Sequence, residues 1–184
     1  MDPSLNVTHL IGGVASLIRA SVFATLTEAQ KAAVLENLEG GAWELAARAP
    51  SPSAWVPTGD LAAFLAAARR MSPVRTERAR AQLEADLVMG DAGWPSTPEA
   101  LIEALPRIFT EVHRGGRVSV GDLRPGEAWL VLAARYPYPE WYSEVLPRWI
   151  QHALARSGAR EATVRHLPPG EGEAPWLHRY QIRW

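Results

Sequence analysis

The hydrophobic period of this chain changes at one place, the pair Gly115-Gly116, and that change constrains what the chain can fold into. Before the pair, apolar residues recur at helical spacing; after it they alternate, as in RVSVGDL. A period of 3.6 buries one stripe of a helix, whereas a period of two buries one face of a strand. A chain that switches from one to the other packs a helical layer against a sheet, so the expected class is α+β.

The upstream part is read as helices. Leu10, Val14, Leu17, Ile18 and Val22 give residues 5–23 a broad apolar face. Thr27 and Gln30 have the spacing of a capping box, and Gly40-Gly41 is read as the stop of that second helix. APSPSAWVP, residues 49–57, is read as a loop; Leu61, Phe64, Leu65 and Ala68 then stripe a third helix, and a polar helix is expected over residues 73–89. Thr97, Pro98 and Glu99 supply the cap, first-turn proline and acidic first turn of a helix reaching His113.

Downstream, Val118 and Val120 share a face, RPGE turns, and AWLVLAA is apolar on both faces, as a central strand is. Tyr142, Val145, Leu146, Trp149, Ile150, Ala153 and Leu154 stripe a long helix that Gly158 ends. Pro106 and Pro147 sit in the related stretches EALPRIF and EVLPRWI, where each is expected to kink or restart its helix. EATVRHL and WLHRYQIRW are strands. In the last, Trp176, His178, Tyr180, Ile182 and Trp184 alternate with Leu177, Arg179, Gln181 and Arg183, so the first set suits the core face and the second the solvent face. The expected architecture is N-terminal helices followed by a strand pair, a long helix and a second strand pair, giving a four-stranded antiparallel sheet packed on helices. One domain spans residues 1–184, with 1–114 mainly the helical layer and 115–184 the ββαββ part.

Composition removes several function classes. Lys plus Arg number 19 and Asp plus Glu 20, so the chain lacks the basic excess of a nucleic-acid binder. It has no cysteine, which excludes disulfides, thiolate metal sites and a cysteine nucleophile. The most apolar run, residues 9–26, contains Arg19 and several small residues and falls short of a membrane span. No basic leader precedes it, and a cytoplasmic location is expected.

The stretches GGRVSV, PGEAWLVL, YPYPEWYSEVL, SGAREATVRHL and RYQIRW, with SAWVPTGDLAAFL earlier, resemble a myxobacterial paralogous family of unknown function. That family is similar to the ligand-binding fold shared by heme-nitric-oxide-binding domains, 4-vinyl-reductase domains and the small subunits of the TRAPP vesicle-tethering complex. The resemblance implies a four-stranded antiparallel sheet on helices, in proteins that bind small apolar ligands or other proteins and are often dimers. Two departures bear on the ligand. The stretch HLPPGEGEAPWLHRY has none of the cysteines many 4-vinyl-reductase-type domains carry there, and Tyr142-Ser143-Glu144 does not match the Tyr-x-Ser-x-Arg pattern that holds heme propionates.

Individual residues then divide by chemistry. His166 and His178 come to one face if the last two strands pair in the right register, with His152 or Glu173 as a third metal ligand. The competing reading is a pair of half-buried histidines bonded to backbone or water, and no metal or cofactor is expected. No Gly-x-Ser-x-Gly or phosphate-loop signature is present, and no enzyme is expected. Gly12 and Gly13 in a helix signal a close approach to that backbone, by a packed helix or else by a ligand. With Val14 and Leu17 they are the candidate seam of a homodimer. Trp129, Trp149 and Tyr180 are the candidate lining of a ligand pocket. Trp43, Trp55 and Trp94 near breaks plug corners or line a partner surface, and the arginine-rich stretch from Arg69 to Arg80 is a solvated face or a phosphate contact. The functional expectation is a non-catalytic signalling or adaptor domain acting through protein–protein binding. The alternative is a sensor that takes a small apolar ligand between sheet and helices, and a continuous void there would favour it.

Overall fold

The computed structural model describes residues 2–71, 95–137 and 141–184. The helix expected over residues 73–89, Trp94, and Arg75, Arg78 and Arg80 lie outside them.

Six α-helices are described: α1 (Gly12–Ala24), α2 (Glu28–Glu36), α3 (Gly40–Ala47), α4 (Thr58–Met71), α5 (Pro98–Val112) and α6 (Leu146–Arg156). Strands β4 (Arg117–Arg124), β5 (Glu127–Ala133), β6 (Thr163–Leu167) and β7 (Leu177–Arg183) form an antiparallel sheet in the order β4-β5-β7-β6. The chain is α+β, and no helix among the described residues is long and apolar enough to cross a membrane.

The C-terminal stretch is a central strand, paired along its length with β5 and β6. Its alternation holds: His178, Tyr180 and Ile182 are buried, while Leu177, Arg179 and Gln181 are half-exposed. Across from it, Ala128, Leu130 and Leu132 of β5 are buried as well. The other face of β5, with Trp129, Val131 and Ala133, is only half-covered, so this strand is less two-sided than its sequence reads.

A second, three-stranded sheet of β1 (His9–Ile11), β2 (Trp55–Pro57) and β3 (His113–Arg114), ordered β2-β1-β3, departs from the sequence reading. Residues 9–11 continue the helical period of α1, yet they are extended, because both edges of β1 find partners far away in sequence. Helix α1 therefore starts at Gly12, where the Gly12 N–H donates to the Ala54 carbonyl at 2.6 Å and the Gly13 N–H to that of Pro52 at 2.9 Å. These bonds satisfy two of the donors that a helix start leaves open. A Cβ on Gly12 would collide with the Ser51 carbonyl oxygen, so the close approach signalled by the glycine pair is made by the 51–54 loop of the same chain.

Other boundaries shift for local reasons. The capping box at Thr27 and Gln30 forms. Helix α2 stops at Glu36, however, and Gly40-Gly41 begins α3, where the bare Gly41 backbone leaves room for the Asp60 carboxylate of α4. Thr97 caps α5 by accepting from the Ala100 N–H at 3.2 Å. Helix α5 continues through Pro106, whereas Pro147 lies in the first turn of α6, directly after a π-helical turn at Trp141–Val145. At Gly115 and Gly116 the backbone is left-handed, with φ of +87° and +75°, which favours glycine at both positions.

The N-terminal segment fastens these parts together. The Val7 N–H donates to the Arg135 carbonyl at 2.9 Å and the Arg135 N–H to that of Leu5 at 2.7 Å; the Gly116 N–H reaches the Ser4 carbonyl at 2.8 Å. The buried Thr58 hydroxyl donates to the Val7 carbonyl at 2.7 Å. One continuous apolar core joins α1, α4, α5, α6 and the inner face of the four-stranded sheet.

Ending the chain after Arg179 removes half of the central strand with Tyr180 and Ile182, both fully buried. Such a truncated protein is expected to lose its cooperative thermal transition in circular dichroism. Gly12→Ala, which keeps every strand, should cost about 2 kcal/mol, in the range of other overpacking changes, as measured by urea denaturation.

Candidate functional site

Helices α1, α5 and α6 and the inner face of the sheet do not close completely on each other. Helical spacing on α5 turns Leu105, Ile108, Phe109 and Val112 toward one space; Val14 and Ile18 come from α1, and Leu146, Trp149 and Ile150 from α6. Val118 of β4, Leu130 of β5 and Val145 complete the apolar wall, and His113 and Tyr136 add polar atoms. The space opens to solvent at its mouth and its inner part is about 50 Å³, room for more than one water molecule; its apolar lining with few polar groups is that of small-molecule sites.

His113 is the one ionisable imidazole in this wall. Its Nδ1 donates to the Phe109 carbonyl at 3.2 Å, one turn back, and its ring stacks on that of Phe109 at 4.3 Å. Burial disfavours the charged form and pushes its pKa down to about 4, so the ring is neutral near pH 7. Tyr136 meets His113 edge-on, with ring centroids 6.0 Å apart.

Tyr142 fixes this side of the pocket. Its hydroxyl accepts from the Tyr136 N–H in a short hydrogen bond and donates to the Ala134 carbonyl at 3.0 Å. Burial pushes the phenol up to about 12, so it stays protonated and able to do both. Tyr180 in turn donates to the Tyr142 carbonyl at 3.1 Å.

Of the residues singled out in the sequence, the structure brings Trp149 and Val14 to the pocket wall. Tyr180 is wholly buried and supports Tyr142 without being part of the lining. Trp129 pairs with Gln181 on the opposite face of β5 from Leu130, so it does not reach the pocket. Gly12 and Gly13 pack on the 51–54 loop, and Leu17 is half-buried on α1. Sequence reasoning missed His113 and Tyr136. His113 reads as the end of a helix, and Tyr136 stands only at the start of the stretch YPYPEWYSEVL; nothing local announces that the two meet.

The two strand histidines do meet, by a different register from the facing one. His166 lies opposite Tyr180 and His178 opposite Leu132, which makes the histidines diagonal neighbours. His166 Nε2 and His178 Nδ1 are 3.0 Å apart and share a hydrogen bond. His178 stacks on Tyr142 at 3.9 Å and His166 on Tyr180 at 5.0 Å. Among the described residues no group of three potential metal ligands forms. Glu173, the suggested third ligand, is held by Arg179 through contacts of 2.7 and 2.8 Å. Burial and then the nearby His166 push His178 down to about 4, and burial lowers His166 too.

His113 and His178 therefore bind protons less readily in the folded protein than in the unfolded chain. Their contribution to stability is complete above pH 6.5 and is lost as the pH falls toward 4. Denaturation free energies are expected to fall between pH 7 and pH 5 by about 2 kcal/mol for His113 and by less for His178, whose partial solvation screens its share; His178→Phe should remove that smaller share of the slope. A pH-independent stability over this interval would contradict the assignment. No protein-family model matches the chain, and no curated protein matches it, so the pocket is judged on its geometry.

Proposed function

We propose that this chain is a non-catalytic ligand-binding module that takes a small apolar molecule into the pocket between its helices and its sheet. The observation that carries this reading is the open space itself. Well-packed cores leave few voids larger than a water molecule, and here Val14, Ile18, Ile108, Leu130, Trp149 and their neighbours surround a space that stays unfilled. The sequence resemblance to a ligand-binding fold points the same way. A module of this kind acts as a sensor, reporting occupancy through the elements that line its pocket.

A second reading, an adaptor that docks other proteins, rests on the surface of the helical layer. Trp43 on α3 is 45% exposed, the kind of aromatic anchor that interfaces favour. A homodimer through α1 would use the side carrying Leu17 and Ala20, since Val14, Ala15, Ile18 and Val22 turn into the core and Gly12 and Gly13 meet the 51–54 loop. The pocket has the stronger support, because its lining converges from three helices and the sheet.

Calorimetric titration with octanol is expected to show saturable binding near one equivalent. Val14→Phe, which fills space at the wall, should weaken that binding by about tenfold or more while circular dichroism still reports a cooperative melt. Absence of saturable binding to the wild-type protein would end the proposal.

A further inference from the structure

The pocket is apolar, but its chain neighbours are not. Several charged residues adjoin its lining in sequence, and four of them are engaged elsewhere. Arg114 directly follows His113, yet its guanidinium carbon sits 4.3 Å over the ring of Trp55 in the small sheet. Arg135 directly precedes Tyr136, and its guanidinium carbon lies 4.1 Å over Trp176. Arg19, next to Ile18, donates through Nε to the Ala46 carbonyl at 2.9 Å and covers Phe23. Glu111, beside Val112, pairs with Arg107 at 3.1 Å on the exposed side of α5. None of these four is a lining residue, and no Lys, Arg, Asp or Glu is among the described residues that form the wall.

Resting on the ligand-binding reading above, we infer that the pocket selects for a neutral ligand: an apolar chain or ring with an uncharged oxygen head, an alcohol, aldehyde or ketone, and against a carboxylate or an ammonium of the same size. A charge carried into this space would lose its water and meet no counter-ion. Buried charges are tolerated only when paired; an unpaired one neutralises instead. The polar side chains among the lining residues are neutral. The His113 ring stays uncharged near neutrality because burial disfavours its imidazolium, and Tyr136 contributes a phenol. The two Arg–Trp contacts engage the guanidinium groups of Arg114 and Arg135 over aromatic faces, where such pairs are favourable.

The test compares octanol, octanal, octanoate and octylammonium, matched in chain length, by calorimetric titration of the wild-type chain at pH 7.5. Octanol and octanal are expected to bind with octanoate and octylammonium weaker by roughly a thousandfold, because each ion must first be neutralised about three units from its own pKa. If octanoate enters only as the neutral acid, its apparent affinity should rise about tenfold for each unit the pH is lowered from 8 toward 7. Octanoate or octylammonium binding within about threefold of octanol, on the scale of an order of magnitude per 1.4 kcal/mol, would overturn the selection while leaving the pocket as a binding site. Failure of all four to bind would overturn the ligand-binding reading and this inference with it. Val112 lies on the wall but is half-buried, so Val112→Arg can supply the missing cation. A folded Val112→Arg protein should bind octanoate about tenfold more tightly than wild type without gaining octylammonium. Unchanged octanoate binding in that variant would count against a missing counter-ion as the reason for selection.

Discussion

The Tyr142 hydroxyl is the smallest feature on which the pocket side of this structure depends. It accepts from the Tyr136 N–H and donates to the Ala134 carbonyl, so it ties the π-helical turn before α6 back to the end of β5. The carbonyl of the same residue accepts from Tyr180 in the central strand, and its ring is stacked by His178. One residue thus joins the π-helical turn to the nearby end of β5 and to the central strand, which is distant in the chain. Residues 134–146 bring Tyr136, Val145 and Leu146 to the pocket wall, and their placement follows from this clamp. Buried hydrogen bonds of this sort contribute modestly to net stability, but leaving their partners unmade is costly. The clamp therefore acts more as a specification of geometry than as a source of stability.

The N-terminal segment performs the matching task on the other side. By itself it would be a short extended stretch with no partner. Between Arg135, Arg114 and Ala54 it becomes the seam where the small sheet, the end of β5 and α1 meet. Leu10 of β1 and Val14 of α1 are both pocket residues, so the helix start at Gly12 sets where this wall stands. The chain approach that Gly12 permits is thus tied to the pocket through α1, and it is made within one molecule.

What the sequence showed and what it concealed divide along a physical line. Features written in a single period or a single cap were legible: the alternation of His178, Tyr180 and Ile182, the capping box at Thr27 and the Thr97 cap all form. Features that depend on pairing across the chain were not. Residues 9–11 carry a helical pattern yet become a strand, because β2 and β3 supply partners that no local window contains. The diagonal relation of His166 and His178 required the register of β6 on β7, and side chains change neighbours with each step of register. Trp149 could be placed from its helical stripe, but Trp129 is on the outer face because the inward positions of β5 are Ala128, Leu130 and Leu132. His113 and Tyr136, 23 positions apart in sequence, become neighbours only once the sheets and α5 are assembled.

A core that keeps such a space open gives up stability that a better-filled one would have. Apolar walls facing a void forfeit dispersion contacts, and enlarging a void by removing buried side chains commonly costs a few kcal/mol. Here the residues around the void are not small remnants; Ile18, Ile108, Phe109, Trp149 and Ile150 are large side chains held apart by helices whose positions are fixed elsewhere. Helix α1 is held at its start by the 51–54 loop, and the segment leading into α6 by the Tyr142 clamp. Closing the space would require breaking those backbone bonds, so the void is maintained by the frame and not by the side chains that line it. An apolar lining that opens to solvent at one mouth holds few groups that must give up hydrogen bonds, so a neutral apolar molecule can enter it with little desolvation cost to the protein.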